Sequence, residues 1–453
     1  MDDDTAIAPQ NGITLQKGAK GTIHALSHEG RGIAEVNGKT VFLEGGLPGE
    51  EVSFVYQKRR KKFDEGRVVH VINPSPDRVE PKCQHFDLCG GCTLQHMESS
   101  AQILHKQAVL LEQLRHFGGV EPETVLDPLI GPVWGYRRKA RLGVRYVVKK
   151  EKVLVGFREK QSHFILDLKK CEILHPRIGD RLPEITTLIS NLEAYRVIPQ
   201  IEVAAGDKDV ALIFRHLEPL CEGDKKSLVE FAKHTGFHLY LQSGGPETIC
   251  PLWPNTLNYL TYKLKNFDLR FLFHPADFTQ VHADINQSMV ERALSLLQPK
   301  DTDRVLDLFC GIGNFTLPLA KFAHQVVGVE GSSELVRRAE ENALHNRINN
   351  VKFYASDLQS DILQSSTHQS HWAKECYDSV LLDPPRTGAF PIMGLIPKLG
   401  VTRVVYVSCN PATLARDVGE LVQKHKFRLV SVGVMDMFPH TTHVESIALL
   451  VKP

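Results

Sequence analysis

From about residue 20 the chain alternates apolar and polar positions in short runs broken by glycine: Lys20–Leu26, Gly32–Val36, Thr40–Leu43, Glu51–Val55 and Gly66–Ile72. A period of two turns one side of a strand inward and the other toward water. With turn signals at Asn37-Gly38 and Leu47-Pro48-Gly49, these runs predict five strands of a small β-barrel. Residues before about 15 carry no such pattern and are expected to form a loose tail. Pro74, Pro76 and Pro81 mark a linker. Helical spacing follows from Ala101 to Phe117 and stops at Gly118-Gly119. Residues 142 to about 275 alternate short strands and helices without a chemical motif, and a further helix is predicted from about Asn286 to Leu297. Beyond it lie strand-like runs at Arg304–Phe309, Gln325–Val329, Val351–Ala355, Ser379–Leu381, Val404–Tyr406 and after Glu445. Several of these are apolar throughout, as in strands buried on both faces of a mostly parallel sheet covered by helices. The pattern predicts an α/β domain behind a small barrel and a mixed α+β middle section.

A length of 453 residues implies two or three domains rather than one. The formal net charge of +1 means that contact with a polyanion must come from local patches. No apolar stretch reaches the ~18 residues of a membrane helix. The acidic start, Met1-Asp2-Asp3-Asp4, predicts no secretory signal. Nine cysteines, an odd number over a long chain, do not suggest a disulfide framework. A reducing cytoplasm is expected, with cysteines serving metal binding or catalysis.

Two basic segments are candidates for nucleic-acid contact. Lys58-Arg59-Arg60-Lys61-Lys62 falls between the fourth and fifth barrel strands, where it is either a solvated loop or a binding site. Arg137, Arg138, Lys139 and Arg141 interleave with Tyr136 and Tyr146, as on a surface that holds phosphates and stacks bases, or on a charged edge strand. Cys83, Cys89 and Cys92, with glycines at 90 and 91, form a C-x5-C-x2-C set whose thiolates can share one metal centre. Cys171, in the polar turn Asp167–Cys171, is the best fourth ligand, because Cys221 and Cys250 sit in no comparable turn. Four thiolates suit either zinc or an iron–sulfur cluster.

In open α/β sheets ligands bind outside the carboxyl ends of the strands. Asp383, in Asp383-Pro384-Pro385-Arg386, and Cys409, in Ser408-Cys409-Asn410-Pro411, each follow an apolar run and should face one crevice. A lone cysteine after a strand is otherwise a buried apolar filler. The turn Cys310-Gly311-Ile312-Gly313-Asn314 follows a buried strand, and Glu330 ends the next one about 20 residues on, where a carboxylate accepts hydrogen bonds from ribose hydroxyls. Thr316 replaces the third glycine of the dinucleotide pattern. Glu445 heads the last apolar run, as a candidate base or a solvent-facing carboxylate.

Asp307-x3-Gly311-x-Gly313 resembles the S-adenosylmethionine-binding turn of class I (Rossmann-like) methyltransferases. Residues 14–72, with Gly-Leu-Pro-Gly-Glu at 46–50, resemble a TRAM domain, an OB-like RNA-binding barrel. Together the Asp383–Arg386 turn, Ser408–Asp417 and His443-Val444-Glu445 resemble the RNA uracil-C5-methyltransferase family. The resemblance implies three domains: 14–72 TRAM, 73–275 a middle domain with the four-cysteine site and an RNA cleft, and 276–453 a seven-stranded S-adenosylmethionine-dependent domain. It implies Cys409 as nucleophile, Glu445 as base, and Gln280, Phe309, Asn314, Glu330, Asp357 and Asp383 around the cofactor and target base. It implies a [4Fe-4S] cluster on Cys83, Cys89, Cys92 and Cys171. The barrel and cysteine set favour 23S ribosomal RNA as substrate over tRNA, and a monomer is expected. The alternatives are an enzyme of tRNA or of another 23S uracil, and a non-catalytic RNA-binding protein. A radical enzyme would need a C-x3-C-x2-C triad, which is not present. The loop Asp361–Cys376 looks longer than the fold requires.

Overall fold

The computed structural model describes residues 18–256, 258–359 and 371–453. The expected tail, the start of the TRAM range and residues 361–370 of the long loop lie outside the described residues. The chain forms two compact units, the smaller made of residues up to Lys82 with Cys92–His105 and His440–Thr442, the larger of the rest.

In the smaller unit the five expected strands are Ala19–Leu26, Gly32–Val36, Lys39–Glu44, Glu51–Arg59 and Phe63–Asn73. They close into a barrel in the order first, second, third, fifth, fourth. Their alternation sends Ile23, Ala34, Val41, Leu43, Val52 and Phe54 into a common core. The basic segment is only partly a loop. Its first residues extend the fourth strand, where Lys58 pairs in register with Glu65 and Arg59 with Asp64. Carboxylates on the facing strand carry the pairing to the barrel's end, leaving a short turn at residues 60–62. Glu50, closing the 46–50 stretch, is fully buried. It accepts hydrogen bonds from Leu47 N (2.8 Å), Ser75 N (3.2 Å) and Arg78 Nη2 (2.8 Å). Burial alone would raise its pKa, but those donors hold it below the usual carboxylate value.

The larger unit contains two main sheets. One has six strands, with Lys139–Val147 and Lys152–Gly156 at one side and Cys250–Trp253 at the other. The second has eight strands, seven from within 276–453 as expected and one from outside that range, in the order Val351–Ala355, Gln325–Glu330, Arg304–Leu308, Ser379–Leu382, Arg403–Ser408, Glu445–Val451, Arg428–Met435, Thr124–Val125. The extra strand runs parallel to Arg428–Met435. It can lie there because Gly433 has no Cβ: one would sit 2.9 Å from that of Leu126. The hairpin Leu260–Leu264/Leu269–Phe273 joins the sheets' interiors, so Ala204, Tyr240, Phe271, Val305, Leu381 and Ile447 belong to one apolar core. Helices Ala283–Leu297, Ser333–His345 and Pro411–His425 flank the eight-stranded sheet. No helix among the described residues is long and apolar enough to cross a membrane.

Removing a buried carboxylate that satisfies a guanidinium and two backbone donors leaves all of them unpaired. Glu50→Ala should therefore cost the smaller unit about 3 kcal/mol, seen as an earlier first transition in urea denaturation of the full chain.

Candidate active site

Ser379–Leu382 and Arg403–Ser408 are parallel neighbours, with Leu382 opposite Tyr406, so both release their next residues at the same sheet edge. Asp383 and Cys409 therefore emerge side by side. Glu445–Val451 runs antiparallel to Arg403–Ser408, with Ser446 opposite Ser408. Reversal of direction brings the first residue of that strand, Glu445, to the edge where its neighbours end. Asn410 then caps the helix Pro411–His425 by accepting from Ala412 N at 3.1 Å, with Pro411 at the first helical position. Asp417, fully buried on this helix, accepts from Ala389 N (2.7 Å) and the Tyr406 hydroxyl (2.6 Å). Asn410 Nδ2 donates to Arg386 O at 3.0 Å. The helix after Cys409 thus fixes the loop after Asp383.

These edges surround a cavity of about 630 Å³ lined by Cys409, Glu445, Asp383, Gln280, Phe309, Asn314, Glu330 and Asp357. All eight residues singled out in the sequence as catalytic or cofactor-binding meet there. The strand Arg304–Leu308 turns sharply into it: Phe309 has φ +64°, a left-handed conformation uncommon outside glycine, and Gly311 follows at +55°. Nothing lies within 4 Å of where a Cβ on Gly311 would be, so the backbone there is open to a ligand. Glu330 accepts from Gly311 N and Ser332 N, both at 3.1 Å, and keeps lone pairs for hydroxyl donors. Asp357 accepts from Gln359 N at 2.9 Å. Gln280 Nε2 donates to Asp383 at 3.4 Å. An open backbone turn, a ribose-spaced carboxylate and an aromatic wall fit an adenosine-bearing cofactor.

Some of what shapes the cavity carried no sequence signal, above all Tyr262 and Asn286. Asn314 is held by Asn286 (2.8 and 3.1 Å) and by the Tyr262 hydroxyl (2.8 Å), which comes from the hairpin in the section read as chemically silent. Thr316, which in the sequence only marked a missing glycine, donates its hydroxyl to buried Asp307 behind the turn. Phe278, Phe438 and Arg386 complete the wall.

The electrostatics are dominated by withdrawal from water. Burial raises Asp383 to about 7. Burial and the facing Asp383 push Glu445 well above the usual carboxylate value, against the pull of Arg386. Burial, then Glu445 and Asp383, raises the Cys409 thiol to about 11, again opposed by Arg386. Cys409 is thus a neutral thiol in the unliganded protein. Two facing carboxyls of this kind do not both ionise freely.

Of the two readings of the basic stretch around Tyr136, base stacking by Tyr136 itself does not fit. Tyr136 is buried, stacks on His282 at 5.0 Å and donates to Pro439 O, so it offers no face to a base. Lys139 is spent on Pro275 O at 2.8 Å, Arg138 on Asp207 and Arg141 on Glu202. Acidic residues on neighbouring elements consume these charges internally.

Of the four cysteines, Cys83, Cys89 and Cys171 lie in the larger unit and Cys92 in the smaller. Cys171 lies close enough to Cys89 and Cys83 that their charges would push its thiol up. The sulfurs accept main-chain N–H groups: Cys83 from His85, Cys89 from Gly91, Cys171 from Ile173 and Leu174. Burial raises all three thiols, Cys171 to about 11, and these donors oppose that rise, as around sulfurs that become thiolates only on a bound positive centre. No group of three or more His, Cys, Asp or Glu that could hold a metal ion occurs among the described residues.

The tRNA (Uracil-5-)-methyltransferase family matches residues 255–453, and the TRAM domain family matches residues 22–54. The chain is 55% identical over 444 residues to the 23S rRNA (uracil(1939)-C(5))-methyltransferase RlmD of Nitrosococcus oceani, covering 97% of this chain and 98% of that protein. It is 54% identical over 432 residues to the enzyme of the same description from Alcanivorax borkumensis, covering 95% and 96%. Among solved structures, the Pyrococcus abyssi tRNA (uracil-54, C5)-methyltransferase with S-adenosyl-L-homocysteine superposes with a TM-score of 0.70 at 24% identity, over 96% of this chain and 100% of that one. That likeness shows a shared fold.

Asp383 should titrate near 7 rather than near 4 in carboxyl-carbon NMR, and Asp383→Asn should remove that signal. Its folded-state value lies above the unfolded one, so ionisation costs stability as pH rises toward 7. Asp383→Asn should therefore raise the melting temperature at pH ~8 and change it little near pH ~4.

Proposed function

The chain belongs to the RNA uracil-C5-methyltransferase family with a TRAM domain, and on that premise we propose that it methylates carbon 5 of a uracil in 23S ribosomal RNA, the one corresponding to position 1939 in its relatives. The observation that carries this reading is the convergence of Cys409, Glu445 and Asp383 in one cavity with the Gly311 turn and Glu330. Nitrogen methylation has no use for a thiol in that place. Residues 14–72 read as the RNA-binding barrel, 73–275 as the middle domain and 276–453 as the methyltransferase domain. Bacterial ribosomal RNA as substrate goes with a cytoplasmic location.

Carbon 5 of uracil is a weak nucleophile. S-adenosylmethionine supplies, when bound, the electrophilic methyl group and the positive charge of its sulfonium. Cys409 and Glu445, neutral at rest, release their protons to solvent as the site is occupied; Cys409 Sγ then adds as thiolate to carbon 6, and the carbon 5–carbon 6 π electrons move to form an enolate. Carbon 5 then takes the methyl group, with the bonding electrons of the broken carbon–sulfur bond left on the departing thioether. Glu445, as carboxylate, removes the carbon 5 proton; the carbon 5–carbon 6 double bond reforms and the Cys409 sulfur leaves. Asp383, neutral below about 7, can donate a hydrogen bond to the uracil or enolate oxygen, while Gln280 fixes its orientation. Glu330 and Asp357 hold the adenosine moiety, and Phe309 and Asn314 wall the pocket. The target uracil must leave its stack to reach Cys409, so an unpaired or extruded base is the substrate.

Cys83, Cys89, Cys92 and Cys171 would hold a [4Fe-4S] cluster, supported by the N–H donors around the three sulfurs of the larger unit. A four-iron cube takes its thiolates at separate corners, farther apart than a single ion does. The chemistry above transfers no electrons, so the role of such a centre is structural or RNA-positioning.

Release of tritium from carbon 5 of labelled uracil should occur with unmodified 23S RNA and not with unmodified tRNA. Release from tRNA alone would reassign the substrate, and release from neither would refute the activity. Cys409→Ala should abolish release, and Glu445→Gln should trap a covalent protein–RNA species on a denaturing gel. Anaerobically purified protein should carry about four irons per chain, whereas stoichiometric zinc would refute the cluster.

A further inference from the structure

Arg386 follows the Asp383-Pro384-Pro385 turn, and its guanidinium is the cation that pulls on both Cys409 and Glu445. Its backbone is fixed, since Arg386 O accepts from Asn410 Nδ2 at 3.0 Å and from the Thr413 hydroxyl at 3.3 Å. Its side chain is exposed, and an exposed arginine keeps a useful orientation only if something holds it. Here the holder is His443: Arg386 Nη2 lies 3.0 Å from His443 Nδ1 and 3.4 Å from Nε2, the nearer nitrogen being the better acceptor. Arginine has no acceptor, so the ring nitrogen must be the acceptor and the imidazole must be unprotonated on that side.

We propose that His443 is a positioning residue, which aims the Arg386 guanidinium at Cys409 and Glu445 without cancelling its charge. The usual partner of an arginine is a carboxylate, which would hold the guanidinium firmly but oppose its field at the thiol. Imidazole supplies the acceptor and no charge. The ring keeps an exposed edge; partial loss of water and then the cations Arg386, Arg137 and Lys106 act against its protonation and hold it below the usual imidazole value. Lys106 is itself paired with Asp436 at 2.7 Å. The ring packs against Phe438 at 5.3 Å between centroids, which limits its rotation. Two positions further on the same segment stands Glu445, so holder and base move as one piece of backbone.

This inference rests on the uracil-methylation reading, and the test separates the two. His443→Asn keeps an acceptor near the place of Nδ1, His443→Ala removes it, and His443→Glu keeps an acceptor but adds a negative charge. The first readout needs no RNA: the pH dependence of Cys409 alkylation by iodoacetamide, followed by mass spectrometry, with a midpoint of about 11 in the unaltered protein. His443→Glu should move that midpoint upward by about tenfold in proton concentration, His443→Ala should move it part of the way, and His443→Asn should restore it. The second readout is tritium release, where His443→Glu should lower kcat about tenfold with KM within about threefold, and His443→Asn should stay within about threefold of the unaltered enzyme. His443→Glu behaving like His443→Asn in the alkylation profile would overturn the inference, as would an unchanged profile in His443→Ala. Absence of tritium release from the unaltered protein would refute the methylation reading, while the alkylation profile would still decide whether His443 sets the field at Cys409.

Discussion

The register of Glu445–Val451 against Arg403–Ser408 is the constraint on which the site depends. Parallel strands deliver their following residues to one edge, as they do for Asp383 and Cys409. A third group can join them from a strand's first residue only if that strand runs the other way, and Ser446 opposite Ser408 achieves this for Glu445. A slip of one residue would turn Glu445 to the other face of the sheet. The neighbouring strand Arg428–Met435 pairs with the same strand along most of its length, which holds the register from the second side.

That geometry gathers acidic groups in a place poor in water, and the resulting electrostatics are unfavourable by themselves. Asp383 and Glu445 both resist ionisation, and the Cys409 thiol resists it more than an exposed thiol would. The unliganded site is thus at rest, with a neutral thiol that does not react at random. Positive charge is what activates it, and Arg386 is the protein's own contribution. The helix Pro411–His425 adds the partial positive charge of its N-terminus beside Cys409 and, through Asp417, clamps the loop that carries Asp383 and Arg386.

The barrel obeys a different rule. Its core is small, six fully buried apolar side chains, so polar anchoring carries more of the burden of closure. Glu50 serves this by taking donors from its own turn and from Ser75 and Arg78 beyond the last strand. The basic residues at 58–59 belong to the strand ends because Asp64 and Glu65 face them. The stacking of Arg59 on Tyr56, at 4.2 Å, shows the amphipathic use of such a side chain on a barrel surface.

Local pattern sufficed wherever the physics is local. Alternation of period two located all five barrel strands, apolar runs located six of the eight strands of the large sheet but neither Arg428–Met435 nor Thr124–Val125, and the rule that strand ends carry ligands put Asp383, Cys409, Glu330 and the Gly311 turn at one edge. What the sequence could not determine were choices of partner between residues far apart in the chain. The eighth strand needed Gly433 to leave room for Leu126. Asn314 needed Tyr262 and Asn286, tens of residues away, and nothing in the hairpin's own pattern points to a ligand site. The charges of Arg138 and Arg141 read as free in the sequence and are neutralised by Asp207 and Glu202 only once the chain folds. The link between Arg386 and His443 is of the same kind: each residue type was visible, but the hydrogen bond exists only because the folded chain brings a loop after one strand to the segment just before another.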